Sequence, residues 1–115
     1  MPDPNHRGYY RIVFPKEERP VLRVGEGRLE VLDCSESGLG YALPDAETPP
    51  SLGTVVRGRV RFHGGDEVDI DGTVVRVGGG SVAIHLRGPA IPYATVFAEQ
   101  RRLRREYLVP RGSRR

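Results

Sequence analysis

Between residues 19 and 87, valine, leucine and isoleucine recur in short runs that glycine pairs and triplets cut apart. This punctuation constrains the chain more than any other feature. Clustered glycines supply the positive φ values of tight turns and weaken helices, so short apolar runs between them read as strands. Candidate strands are 20–24, 29–34, 39–43, 55–62, 68–77 and 82–87, with turns at 25–27, 64–66 and 78–80. Residues 44–52 carry three prolines and read as a loop or an edge crossing. A chain of 115 residues with 15 glycines and 10 prolines has room for one small core and makes a poor helical bundle.

The middle hairpin sets its own register. Arg57, Arg59 and Arg61 alternate with Gly58, Val60 and Phe62, and Glu67, Asp69 and Asp71 alternate with Val68, Ile70 and Gly72. A two-residue Gly64-Gly65 loop would put the two apolar sets on opposite faces. A three-residue loop, Gly64-Gly65-Asp66, pairs Arg61 with Asp69, Arg59 with Asp71 and Phe62 with Val68, which keeps one face apolar and matches opposite charges on the other. That register is the one predicted, and it makes the arginine stripe the solvated, charge-paired face of a strand. Continuing the parity, the inward file runs Val68, Ile70, Gly72, Val74 and ends at Arg76, which belongs at a rim. Val75 and Val77 then face outward and need a cover.

Residues 92–107 supply one. Tyr93, Val96, Phe97, Leu103 and Tyr107 recur at near-helical spacing behind Pro92, while Glu99, Arg101, Arg102, Arg105 and Glu106 fall mostly on the other side. The expected class is mainly β: an antiparallel sheet curled into a small barrel to hide its edges, with one C-terminal helix packed outside it or across one end.

The formal charge is +3, but the chain ends in Leu108-Val-Pro-Arg-Gly-Ser-Arg-Arg, which contains the thrombin-cleavage sequence appended for purification. Residues 108–115 are therefore set apart as a probable tag remnant. They contribute Arg111, Arg114 and Arg115 and no acid, so the remaining chain is neutral and the composition argument for nucleic acid weakens. No apolar run approaches the roughly 18 residues of a membrane-spanning helix. Met1-Pro-Asp-Pro-Asn lacks the basic start and apolar stretch of a secretory signal, and the lone Cys34 cannot form an internal disulfide. The expected location is cytoplasmic.

Enzymatic constellations are largely absent. His6, His63 and His85 are scattered and, with Cys34, show none of the close spacings of a zinc site. Gly78-Gly79-Gly80 is not followed by the Lys-Ser/Thr of a phosphate loop. The expectation is a non-enzyme with no metal and no cofactor.

Two segments stand apart. In His6-Arg7-Gly8-Tyr9-Tyr10-Arg11, Arg7 and Arg11 are four apart and point the same way in either an extended or a helical segment. Such an arm is by itself compatible with simple solvation. In Asp33-Cys34-Ser35-Glu36-Ser37-Gly38, Asp33 and Ser35 share a face and Cys34 points to the apolar side. Alone, this reads as a polar turn in which the Asp and Ser side chains bond nearby backbone and Gly38 supplies a positive φ.

Together, R-x-x-x-R at Arg7 and Arg11 and D-x-S-x-x-G at Asp33, Ser35 and Gly38, at the start of a small β domain, resemble the PilZ family. The resemblance spans about residues 7–107. It implies a six-stranded antiparallel barrel (a PilZ-like split barrel) with a C-terminal helix, residues 12–107, behind a mobile N-terminal arm, residues 1–11. It also implies a ligand, cyclic di-GMP, a bacterial second messenger. By resemblance, Arg7 and Arg11 clamp guanine and phosphate, Asp33 accepts from guanine N–H groups, Ser35 bonds the same ligand and Gly38 lets backbone and ligand approach. Arginine chemistry suits this, since its planar fork grips phosphate or the guanine O6/N7 edge and its flat face stacks on a base. Arg76 is a further candidate contact. His6 stands where many members have another arginine, a position linked to whether one nucleotide or an intercalated pair is bound.

The functional expectation is thus a cyclic di-GMP receptor whose arm and surface change on binding, read by a downstream protein partner, with no DNA or RNA bound and no membrane insertion. The alternatives are a small barrel that binds nucleic acid through its arginine-rich face, and a PilZ-like adaptor that works through protein contacts without nucleotide.

Overall fold

The structure, a computed structural model, describes residues 11–88 and 91–105. The arm residues His6 and Arg7, the expected helix end at Tyr107 and the terminal segment 108–115 lie outside the described residues. The elements are β1 (Ile12–Val13), a 3-10 turn (Lys16–Glu18), β2 (Val21–Val24), β3 (Gly27–Cys34), β4 (Gly38–Ala42), β5 (Val55–Arg61), β6 (Glu67–Gly78), β7 (Ser81–Leu86) and α1 (Tyr93–Leu103). Six strands form an antiparallel ring in the order β3, β2, β5, β6, β7, β4, and β4 returns to pair with β3. The expected six-stranded barrel with one C-terminal helix is therefore the observed architecture.

β1 was not legible in the sequence, because two residues are too few to display alternation. It extends the edge of β3 that β2 leaves open. β2 pairs with Gly27 to Glu30, and β1 pairs with Asp33 and Cys34. Backbone bonds from Val31 N–H to Pro20 and from Phe14 N–H to Leu32 bridge the gap. Inward residues such as Leu22, Val31, Val60, Val74, Val82 and Ile84 are essentially inaccessible to solvent, each with its alternate neighbour facing out.

The hairpin register differs from the one predicted. Arg61 pairs with Glu67, Arg59 with Asp69, Arg57 with Asp71 and Val60 with Val68. The chain turns one residue earlier, over His63-Gly64-Gly65. Phe62 N–H donates to Asp66 O at 2.9 Å, Gly65 N–H donates to Phe62 O at 2.9 Å, and Gly65 has φ +107°. A shift of two residues preserves the face of every side chain, so the apolar interior and the charge-paired exterior survive the error. Ion pairs join Arg57 to Asp71, Arg59 to Asp69 and Arg61 to Glu67.

The reason lies in the helix. Thr95 Oγ1 donates to the Asp66 carboxylate at 3.0 Å and Gly64 N–H donates to Glu99 Oε2 at 3.1 Å, so α1 grips the turn directly. Glu99, expected on the solvated side, is 3% exposed. Arg102 bonds both Glu99, at 3.0 Å, and Glu18 of the 3-10 turn, at 2.8 Å. Burial disfavours the Arg102 charge, but the bonds to the two carboxylates outweigh it and raise its pKa. Conversely Tyr93 and Phe97, expected in the apolar face, are 44% and 37% exposed and stack on each other at 5.8 Å between ring centroids. The helix packs Val96 and Leu103 into the core with Phe62. Val75, for which it was the expected cover, stays 54% exposed.

The register of the ring also depends on close backbone approach. A β-carbon at Gly58 of β5 would collide with the Arg23 carbonyl oxygen of β2, a backbone atom that cannot step aside. Gly58→Ala is expected to cost about 1–3 kcal/mol of unfolding free energy in urea titrations. Gly27→Ala, where the methyl has room, should stay within about 1 kcal/mol of the unaltered chain.

Candidate functional site

The residues singled out in the sequence converge because the barrel interrupts its own alternation twice. In β3 the register shifts between Val31 and Asp33, and in β6 it shifts between Val74 and Arg76. Each irregularity is a bulge that admits one extra residue and reverses the parity beyond it. Val31 faces in, Leu32 and Asp33 lie toward the outside, and Cys34 faces in again. Likewise Val74 is buried, Val75 and Arg76 are exposed, and Val77 packs back against the core. Arg76 is thus not the end of an inward file, as its spacing predicts; the bulge turns it out. Asp33 and Arg76 reach one surface through the same device.

Between them the strands carry small side chains. Asp33 is the register partner of Gly40, Gly40 of Ala83 and Ala83 of Arg76, giving one row across β3, β4, β7 and β6. With neighbouring strands about 4.8 Å apart, the acidic and basic ends of this row stand roughly 14 Å apart at the backbone. The result is a shallow cleft of about 190 Å³, lined by Arg11, Asp33, Ser35, Gly38 and Arg76 and floored by Gly40 and Ala83. Every candidate site residue within the described residues borders it; His6 and Arg7 lie outside them. Gly40 and Ala83 were missed. Their signal was present in the small residues at alternate positions Gly38, Gly40 and Ala42, and again at Ser81 and Ala83, which leave an outer face unfilled.

At the acidic end, Arg11 Nη1 bonds Asp33 Oδ1 at 2.7 Å. The arginine that was expected to reach Asp33 through a ligand contacts it directly. The pair is open to solvent, with the Arg11 side chain 58% and the Asp33 side chain 30% exposed. Asp33 leans over the floor, since a β-carbon at Gly40 would lie 3.0 Å from its Oδ1. Ser35 is almost wholly buried, and its hydroxyl accepts the Ser37 N–H at 3.3 Å. Ser35 N–H donates to Gly38 O at 2.8 Å and Leu86 N–H to Ser37 O at 2.8 Å, so the β3–β4 turn is closed on itself and tied to the end of β7. Gly38 does not have the positive φ that a polar-turn reading assigns it. A β-carbon there would meet ordinary contacts, the nearest being Ile84 O at 3.5 Å.

Cys34, between Asp33 and Ser35, takes no part in the surface. Its side chain is fully buried and its thiol is pushed up to about 12, first by desolvation and then by the Asp33 and Glu99 carboxylates, against a small opposing effect of Arg11. Burial raises the thiol pKa by disfavouring thiolate, so Ellman's reagent near pH 8 is expected to react roughly a hundredfold or more slowly with the folded chain than with the chain unfolded in guanidinium. Equal rates would place the thiol outside the core.

Among the described residues no group of three or more His, Cys, Asp or Glu side chains is arranged to hold a metal ion. No helix among them is long and apolar enough to cross a membrane. No curated protein gives a significant match to the chain. A family model described as PilZ domain does match, over residues 5–96, a span that takes in both arginines of R-x-x-x-R, the whole D-x-S-x-x-G segment and all seven strands. A cleft built on the second of these segments, on a closed six-stranded barrel, is what that match leads one to look for, and this chain belongs to the PilZ domain family.

Proposed function

We propose that this protein is a receptor for cyclic di-GMP and that the cleft over Gly40 and Ala83 is where the nucleotide binds. PilZ domains are, as a family, cyclic di-GMP-binding receptor modules rather than enzymes. The observation that carries the reading to this chain is the convergence of Arg11, Asp33, Ser35 and Gly38 on one cleft, with Arg76 at its far wall.

The chemistry at each position suits a dinucleotide with two guanines and two phosphates. The Asp33 carboxylate accepts from guanine N1–H and N2–H₂. The Ser35 hydroxyl, already accepting from Ser37, keeps its own proton to donate. The glycine and alanine floor admits a flat base, and the Arg76 guanidinium can stack on it or grip phosphate. Arg11 must leave Asp33 for this to happen. That step costs little, because an exposed ion pair contributes about 0–1 kcal/mol, whereas a bond from arginine to a charged acceptor contributes about 1.5–3 kcal/mol. The cleft is also smaller than the roughly 300–1,000 Å³ of a site that encloses a drug-sized ligand. A cyclic dinucleotide therefore needs a second wall, and the segment bearing Arg7 and His6 is assigned that role, with His6 bearing on whether one nucleotide or two are held. A change in that segment and in the surface around the cleft on binding is the signal, and a downstream protein partner reads it.

Calorimetric titration with cyclic di-GMP, beside GTP and single-stranded DNA, tests the reading. Binding of cyclic di-GMP alone is expected. Arg11→Ala should weaken it by about tenfold to a hundredfold, and Ser35→Ala by less. Ala83→Leu should fill the floor and weaken binding by about tenfold or more with the fold intact by circular dichroism. If cyclic di-GMP does not bind, the chain works as an adaptor through protein contacts; if DNA binds in its place, the nucleic-acid reading holds.

A further inference from the structure

On the other side of the ring, three arginines lie in one row. Arg28 of β3 is the register partner of Arg23 of β2, and Arg23 is the partner of Arg59 of β5. Arg61 sits one outward position away, opposite Val21. Like charges directly opposed across strands destabilise a sheet, so the fold gains nothing from this row. Carboxylates on β6 relieve only part of it: Asp69 and Glu67 hold Arg59, and Glu67 holds Arg61. Among the described residues Arg23 and Arg28 have no ion-pair partner. The five residues Val21, Arg23, Arg28, Arg59 and Arg61 line, with Glu67, an open groove of about 400 Å³ in which four guanidinium groups face one carboxylate.

We propose that this groove is a docking surface for an acidic segment of a partner protein, whose carboxylates pair with Arg23 and Arg28. Guanidinium forks bind carboxylates in two-point geometry, and neighbouring strands set the forks about 5 Å apart, within reach of successive acidic side chains of one segment. Val21 adds an apolar contact at the groove floor. No aromatic side chain lines the groove to stack a base, which sets it apart from the platforms that hold single-stranded nucleic acid. The groove lies on β3, β2 and β5, and the cleft on β3, β4, β7 and β6, so the two can be occupied at once. The inference stands independently of the nucleotide reading.

The test is fluorescence anisotropy of a labelled hexaglutamate peptide with the full chain at about 50 mM salt, where surface electrostatics is weakly screened. The peptide is expected to bind. Arg23→Gln with Arg28→Gln should weaken it by about tenfold or more, and raising salt to about 200 mM should weaken it several-fold. Arg23→Gln alone should leave the melting temperature unchanged or raise it, because it removes a like-charge opposition. Four results overturn the proposal. Two are failure of the peptide to bind and binding of it by the double variant as by the unaltered chain. A thymidine dodecanucleotide or phosphatidylglycerol vesicles could bind more tightly than the peptide through the same arginines. Finally, a melting temperature lowered by more than about 2 °C in Arg23→Gln would make the row structural.

Discussion

Closure of the hydrogen-bonded ring through β3 is the constraint on which the rest of the molecule rests. An open sheet would leave two edges of unpaired backbone groups, and a ring leaves none. β3 solves this by serving three neighbours: β2 over its first half, β1 over its second, and β4 along the opposite edge. A straight, regular strand would not do so. The bulge at Leu32 bends β3 where β4 takes over, and the same bulge presents Asp33. Barrel geometry and site geometry therefore have one cause.

Most of the fold was legible because side-chain alternation has a period of two, and the six main strands fall within a few residues of where that period locates them. The hairpin is instructive. Reading Arg59 against Asp71 instead of Asp69 was wrong, yet each residue kept its face, because charge matching alone cannot distinguish registers that differ by two. What decides between them is the hold of Thr95 and Glu99 on the turn, made across more than 25 residues of sequence. Nothing local to the hairpin announces it. The helix misled in the same way. Glu99 looks like a solvent-facing residue until Arg102 and Gly64 satisfy it, while Phe97 looks like core but carries the Arg101 guanidinium over its outer face at 5.8 Å.

The site was legible as residue types and not as a surface. Arg11, Asp33, Ser35 and Gly38 could be singled out because their spacing matches a known pattern, and Asp33 and Cys34 were correctly set on opposite faces. The row that joins Asp33 to Arg76 could not be read, because each end depends on a bulge, and neither Leu32 nor Val75 is a residue type that marks one. The arginine stripe had the opposite fate. Its pairing with β6 was foreseen in kind, but Arg23 and Arg28 become its neighbours only when β2 and β3 are laid beside β5. A face that looks balanced along the hairpin is unbalanced across the sheet.

The bulge in β6 also makes the identity of the far wall a matter of residue count. Val75, Arg76 and Val77 read out, out and in only because one residue is supernumerary between Val74 and Ala83. Loss of the Val77 codon would straighten the strand and carry the alternation through as Val74 in, Val75 out and Arg76 in, presenting valine to the cleft and arginine to the interior. No point substitution can do that. The chain is accordingly more tolerant of changed side chains at these positions than of changed length, and variation in strand length, rather than in composition, is the route by which such a barrel would lose or relocate its cleft.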